Sequence, residues 1–337
     1  MTLVSVVVLA YKDEPWLERS VRAALASRGV DVEVILVDNG CTDGSIDRLV
    51  GVGGLHLVRP GRNLGFAGGC NAGAQRAHGE VLALVNGDAV VAPDALARLA
   101  EVALEANVGI ASASIRLADA PEKLNSGGNE LHFLGFAWSG AFGEDASAHR
   151  YERDIAYASG AGMAMKSALW ARLGGFDAQY FAYHEDAELS LRCWQQGLRI
   201  VYVPDAAVLH RYEFSRNALK YYLVERNRLA LVLTLYERRT LALLFPALTA
   251  MEVATLIVAL KSGWAPQKLA GWKWLLRNRR WVMARRRRLQ ADRSVGDRSL
   301  APLFVNRLDA GNYPLPRALL PLDRLLGEYW SAVRRFL

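Results

Sequence analysis

Val81-Leu82-Ala83-Leu84-Val85-Asn86-Gly87-Asp88 decides how this chain is read. Its apolar run has the character of a buried strand. It stops at Asn86-Gly87-Asp88, and Ala92-Pro93-Asp94 opens a helix a few residues later. An acid at the carboxyl end of a parallel strand stands where open α/β sheets bind ligands. A carboxylate there can hold Mg²⁺ or Mn²⁺, which in turn can hold a diphosphate. Taken alone, the triplet favours plain turn chemistry. Its neighbours must decide.

Working outward, Val4 to Ala10 is a β-branched run ending at Tyr11-Lys12-Asp13-Glu14-Pro15. Trp16 to Ser27 has the apolar spacing of a helix, and Val32 to Val37 is a second strand ending in Asp38-Asn39-Gly40. Leu55 to Val58 is a third strand. The glycine-rich stretch Asn63 to Gly73 leads into a helix reaching about Ala77, and another runs from Pro93 to about Ala106. This alternation predicts a doubly wound, mostly parallel α/β sheet with right-handed crossovers. Closely spaced glycines before a helix let backbone N–H groups approach a phosphate or sugar. The spacing is neither GxGxxG nor GxxxxGK[ST], which disfavours a dinucleotide-binding dehydrogenase and a P-loop NTPase.

From Asn107 to Tyr157 the pattern loosens, with room for an edge hairpin. Order returns with a strand at Ala158 to Met165 and a helix from Ser167 to Leu173. A second helix opens at Glu185-Asp186, where acids are ordinary partners of the helix dipole. Ile200 to Val203 and Val208 to His210 read as two further strands.

The chain has 337 residues, is 52% hydrophobic and carries a net charge of +7, enough for a large core and an appendage. Its three cysteines form no CxxC pair, so neither a disulfide framework nor a zinc site is indicated, and a reducing compartment is expected. The N-terminus lacks a basic leader and reads as a first strand. Leu241 to Leu260 is apolar over about a bilayer's thickness. Glu252 and Pro246 lie inside it, so a packed hairpin or interfacial pair is expected ahead of a span. Between Lys261 and Gln290 there is no Asp or Glu, and tryptophans alternate with Lys and Arg. That composition suits an anionic membrane surface, and the apolar stretch beside it argues for lipid over nucleic acid.

Four blocks now match a family in order: VVVLAYKDEPWLERSV, VILVDNGCTDGS, NLGFAGGCNAG with GEVLALVNGD, and SGAGMAMKSALWARLGGFDAQYFAYHEDAELSLRCWQQG with VPDAAVLH. The chain from Val4 to Arg228 resembles the inverting family 2 glycosyltransferases of GT-A fold, and most of all their bacterial rhamnosyltransferase-like branch. The resemblance implies a GT-A catalytic domain over 1–228, with a nucleotide-sugar half to about 106 and an acceptor half from about 107. Residues 229–337 would form a helical, membrane-associating appendage.

The resemblance further implies a metal-dependent, inverting sugar transfer. The first expectation is L-rhamnose moved from dTDP-L-rhamnose onto a glycan on a polyprenyl diphosphate, in cell-envelope polysaccharide assembly. The enzyme would work at the cytoplasmic face of the membrane as a peripheral or monotopic protein, with no nucleic-acid partner. A UDP-sugar enzyme of O-antigen or capsule synthesis and an inactive sugar-nucleotide-binding scaffold are the alternatives. Ala10, Tyr11, Asp38, Asn39, Asn63, Gly65, Phe66, Asn86, Gly87 and Asp88 would line the donor pocket. Asp88 would ligate Mg²⁺ or Mn²⁺ as the last acid of the family's DxD motif, from which Asn86-Gly87 departs, and His210 could add a ligand. Asp186 would be the catalytic base with Glu185 its competitor. Ser159, Gly160, Arg226 and Arg228 would contact the acceptor or the diphosphate.

Overall fold

The computed structural model describes residues 1–211, 217–309 and 317–337. The strands and helices begin with β1 (Leu3–Lys12), α1 (Leu17–Leu25), β2 (Asp31–Cys41), β3 (Leu55–Val58), α2 (Gly65–Ala74), β4 (Val81–Asn86), β5 (Ala89–Val91) and α3 (Ala95–Ala103). Next are β6 (Val108–Leu117), β7 (Ala120–Ser126), β8 (Glu130–His132), β9 (Ala137–Trp138), β10 (Arg153–Asp154), β11 (Gly162–Lys166), α4 (Ser167–Leu173), α5 (Glu185–Gln195) and β12 (Arg199–His210). The remainder is α6 (Ala218–Leu235), α7 (Arg238–Lys261), α8 (Ala265–Arg277), α9 (Arg279–Asp292), α10 (Asp297–Leu300), β13 (Phe304–Val305) and α11 (Leu320–Val333).

The chain forms two compact units. The first comprises Met1–Asn129, Ser139–Cys193 and Leu198–Glu213; the second takes Glu130–Trp138, Trp194–Gly197 and Phe214–Leu337. The boundary expected at Arg228 thus falls inside the continuous helix α6, and the short β8–β9 hairpin joins the second unit.

The first unit is built on a sheet of order β10-β12-β6-β11-β4-β1-β2-β3, with β5 paired to β12 and β7 to β6. Strands β1 to β4 run parallel, β12 is parallel to β6, and β11 is antiparallel to both its neighbours. Alternation of side chains sorts the two faces. Val4, Val6, Val8, Val34, Leu36, Ala83 and Val85 pack with Leu17 and Val21 of α1 and Leu96 and Leu99 of α3. Val7, Leu9 and Val37 face the other way, onto α2.

The glycine-rich stretch itself forms α2; it does not precede a helix as a phosphate loop. A Cβ at Gly69 would lie 2.4 Å from Leu9 Cδ1, and one at Gly73 2.5 Å from Val7 Cγ1. These glycines let the helix lie against the sheet, where one extra methyl costs about 1–3 kcal/mol.

Two further differences concern strands. Val108–Leu117, in the stretch without a clear pattern, is a central strand. Its middle, Ala111-Ser112-Ala113-Ser114, is too small and mixed to give a hydrophobic signal, although Ile110 and Ile115 flank it. Ile200 to His210 is one strand, not two, because a register shift between Val203 and Ala207 absorbs Pro204.

In the second unit, α6 packs on α8 and α9, and Phe133 stacks on Trp330 at 5.0 Å. Its interior carries a charge cluster. Arg228 pairs with Glu252 and lies 3.3 Å from Glu225; Lys268 lies 2.6 Å from Glu225 and 3.0 Å from Glu252. Trp272 Nε1 also donates to Glu252, at 2.6 Å. Burial disfavours the Glu252 charge, but Arg228 and Lys268 outweigh it and hold the carboxyl below its usual range. This accounts for the acid in the middle of α7: removing one member of a buried ion pair typically costs about 3–5 kcal/mol.

Candidate active site

Strand β4 delivers Asn86 to the sheet edge, and the chain must turn there. A Cβ at Gly87 would lie 2.9 Å from Leu9 O and 3.4 Å from the Glu14 carboxyl carbon, so glycine fits the turn. β5 then pairs antiparallel with the end of β12, setting Ala89 opposite His210. Arg211 N donates to Asp88 O at 3.0 Å. The result is His210 Nε2 3.2 Å from Asp88 Oδ1 and 3.4 Å from Asn86 Nδ2. Two protein donors meet here, a carboxylate oxygen and an imidazole nitrogen, both suited to a divalent cation. Among the described residues no group of three or more His, Cys, Asp or Glu side chains could hold a metal. A cation at this pair would need further ligands from water or from a diphosphate.

Glu14, read from the sequence only as part of a turn, belongs to this corner. Burial and then the Asp88 carboxylate push its carboxyl up to about 8.

The second group gathers around the first turn of α5. Asp186 is half-buried, and its Oδ2 accepts from Gly160 N at 3.3 Å and its Oδ1 from Ala187 N at 2.8 Å. Burial pushes its carboxyl up to about 6, against the lowering effect of those two hydrogen bonds. Glu185 is 5% exposed, and among the described residues its Oε2 has no hydrogen-bond partner. Burial, then the Asp186 charge, raise it well above the usual range. The adjacent carboxyls therefore differ: Asp186 is half-buried, and Glu185 is sunk in the protein near the buried thiol of Cys70.

The loop before α5 is strained. Phe181, Tyr183 and His184 have φ of 64°, 69° and 69°, a region non-glycine residues adopt at a cost. The Phe181 carbonyl accepts from Ala67 N at 3.0 Å. Gly65 has φ of +72°, and a Cβ there would lie 2.4 Å from Phe181 O. Gly160 is seated on Phe66, where a Cβ would meet the ring at 2.8 Å. Phe66, Gly160 and Asp186 thus form one patch, and Asn86 N reaches it through Ala161 O at 3.3 Å. Ser159 Oγ caps the turn by accepting from Ala161 N.

At the end of β1, Ala10 is buried, whereas Tyr11 is 40% exposed. Asp38 Oδ1 accepts from Gly40 N and Cys41 N, and its Oδ2 lies 3.7 Å from Arg59. Asn39 is buried and bonded to Asn63 Oδ1, Gly65 O and Leu64 N, so it pins the two loops together. Arg226 and Arg228 lie in the second unit. Arg228 is fully buried in the Glu225–Glu252 cluster, in place of an open guanidinium. Arg226 is 6% exposed and stacked between the Tyr222 and Trp274 rings.

The sequence profile described as "Glycosyltransferase like family 2" matches residues 2–230, and the chain belongs to that family. It is 28% identical over 236 residues to the Mycobacterium tuberculosis N-acetylglucosaminyl-diphospho-decaprenol L-rhamnosyltransferase, covering 62% of this chain and 76% of that protein. The fold is similar to GalNAc-T7 with UDP, GalNAc and Mn²⁺, with a TM-score of 0.58 and 17% identity over 72% of this chain, which spans half of that one. It is also similar to a Pyrobaculum calidifontis mannosyltransferase with GDP-Man and Mn²⁺, with a TM-score of 0.51 and 17% identity over 98% of this chain and 85% of that one. The expected GT-A arrangement, a mostly parallel α/β sheet with C-terminal helices, is therefore present.

The raised Asp186 pKa carries a sign for stability. Its folded value lies above the ordinary 3.8, so ionisation costs the folded state; that cost is complete above pH 6 and fades as pH falls toward 3.8. Asp186→Asn should therefore melt above the parent protein near pH 8, and the gap should narrow by about pH 5. Thermal melts of both at the two pH values check this; a gap that does not change with pH would contradict it.

Proposed function

We propose that this chain transfers a sugar from a nucleotide-sugar donor to an acceptor hydroxyl in a single, inverting displacement, with Mg²⁺ or Mn²⁺ bound at Asp88 and His210. The first-choice donor is dTDP-L-rhamnose and the first-choice acceptor a glycan on a polyprenyl diphosphate, in cell-envelope polysaccharide assembly. The name of the M. tuberculosis relative supports the rhamnosyl group and the lipid-linked acceptor, and the Mn²⁺ of the structural neighbours supports the metal.

The observation that carries the reading is the contrast between Asp186 and Glu185. Inversion in one step needs a base that takes the acceptor proton on the side opposite the leaving diphosphate. Asp186, with a pKa of about 6, is ionised at neutral pH yet more basic than a surface aspartate. Gly160 N and Ala187 N hold the carboxylate in place. Burial and the Asp186 charge raise Glu185 and disfavour its ionised form beside Asp186. A bound cation would offset negative charge on the leaving diphosphate. Tyr11, Asp38 and Phe66 remain the proposed walls of the donor pocket, while Asn39 and Asn63 shape it from behind.

The second unit supports a membrane partner. The most apolar 18-residue window of α7 has a mean hydropathy of 2.1 and is only 22% buried, and the helix exposes Phe245, Val253, Ile257 and Leu260. Thr240, Leu244, Ala247, Met251, Ala254 and Ala259 are buried along its whole length. Half-embedded in protein in this way, it suits a helix lying in the headgroup plane more than one crossing the bilayer. Lys261, Lys273, Arg277, Arg279 and Arg280 add the charge that draws anionic lipid.

Asp186→Asn should cut transfer at saturating donor by about a hundredfold or more while leaving donor affinity nearly unchanged. Glu185→Gln should retain most turnover. Steady-state assays of both decide; near-normal turnover in Asp186→Asn beside collapse in Glu185→Gln would move the role to Glu185. The full chain should also co-sediment with phosphatidylglycerol vesicles more than with phosphatidylcholine vesicles, and Phe245→Ser with Ile257→Ser should weaken that binding. Equal partition into both vesicle types would contradict the electrostatic part.

A further inference from the structure

We infer that Asn125 is a positioning residue that sets His210 for metal ligation. The inference rests on the reading of Asp88 and His210 as the metal pair.

Asn125 lies in β7, on the far side of β6 from β12. Its side chain is 4% exposed, and its Oδ1 is 2.9 Å from His210 Nδ1. A carbonyl oxygen only accepts, so this contact is a hydrogen bond when Nδ1 carries the proton. The lone pair of a neutral ring is then at Nε2, the nitrogen aimed at Asp88 Oδ1 at 3.2 Å. In that tautomer Nε2 and Asp88 Oδ1 both present lone pairs, a pair of donors that a cation can bridge. Nε2 also faces the amide of Asn86 at 3.4 Å, a weak partner that an ion can displace. Asn125 thus holds the tautomer and the ring plane from behind, as outer-shell partners of metal-bound histidines do.

The rest of Asn125 fits no packing purpose. Its Nδ2 is buried with no hydrogen-bond partner among the described residues. An apolar side chain would fill the place without orphaning a donor, so the oxygen is what the position uses. Being neutral, the amide gives His210 an acceptor without adding a further carboxylate beside Asp88 and Glu14.

The test is Mn²⁺ binding by the full chain with no sugar nucleotide, followed by electron paramagnetic resonance of free Mn²⁺, with a melting curve for each variant. Asn125→Leu should lower Mn²⁺ affinity by about tenfold to a hundredfold, the usual scale for loss of an outer-shell partner. Asn125→Asp keeps an acceptor opposite Nδ1 and should bind Mn²⁺ at least as well as the parent. The second variant keeps the test decisive should Asn125→Leu fail to fold: weaker binding in Asn125→Asp would mean the amide donates to the ring, and would overturn the proposal. Unchanged affinity in a folded Asn125→Leu would also overturn it. Asp88→Asn and His210→Ala separate the two levels. If both bind Mn²⁺ like the parent, or the parent binds none at millimolar Mn²⁺, the metal reading falls and this proposal with it. If both bind weakly while Asn125→Leu binds normally, only the role of Asn125 falls.

Discussion

A three-residue antiparallel pairing, Val91, Val90 and Ala89 against Val208, Leu209 and His210, is the contact on which the site depends. β4 carries its chain to the sheet edge and has to stop there. Gly87 lets the backbone turn against Leu9 O, and β5 is caught by the end of β12. Only then do Asp88 and His210, far apart in sequence, come within 3.2 Å. The same strand β12 lies on β6, whose other side receives β7 and Asn125. The β5–β12 pairing sets the carboxylate beside the imidazole, and the pairings of β6 with β12 and β7 set the imidazole against the amide behind it. Weakening β5 would part Asp88 from His210 and leave Asn125 in place.

A second constraint runs through glycine. Gly65 and Gly160 each stand where a Cβ would strike Phe181 or Phe66, so the loops carrying Asn63, Ser159 and Asp186 can close on one another. The cost appears in the positive φ angles of Phe181, Tyr183 and His184. Strain of that kind persists only where surrounding contacts over-determine it. The strained loop leads straight into Glu185, buried, and Asp186, half-buried, adjacent acids with different environments.

Local sequence revealed the elements whose signal is local. The β-branched runs of β1, β2 and β4 and the polar turns after them announced the sheet edge, and the blocks around Asp88 and Asp186 announced the family. What it missed depended on distant partners. The middle of β6, Ala111 to Ser114, is only alanine and serine, and its burial comes from the strands on either side. Asn125 acquires meaning only when β12 arrives, and Glu14 only beside Asp88. The glycines of α2 looked like a ligand loop because close backbone approach has the same signature whether the neighbour is a phosphate or a strand. Arg228 looked like a contact for the acceptor or the diphosphate because its partner Glu252 lies on the next helix, inside an apolar run.

The central claim is that one half-buried aspartate drives a single displacement at the anomeric carbon. The stereochemistry of transfer tests it most directly. Donor and product from a reaction with dTDP-L-rhamnose, or with whichever nucleotide sugar supports turnover, should be compared by NMR of the anomeric proton and carbon. The account predicts that every transferred sugar has the opposite anomeric configuration to the donor. Retention of configuration would contradict it, since it requires either two displacements or front-face attack, neither of which Asp186 as a lone base provides.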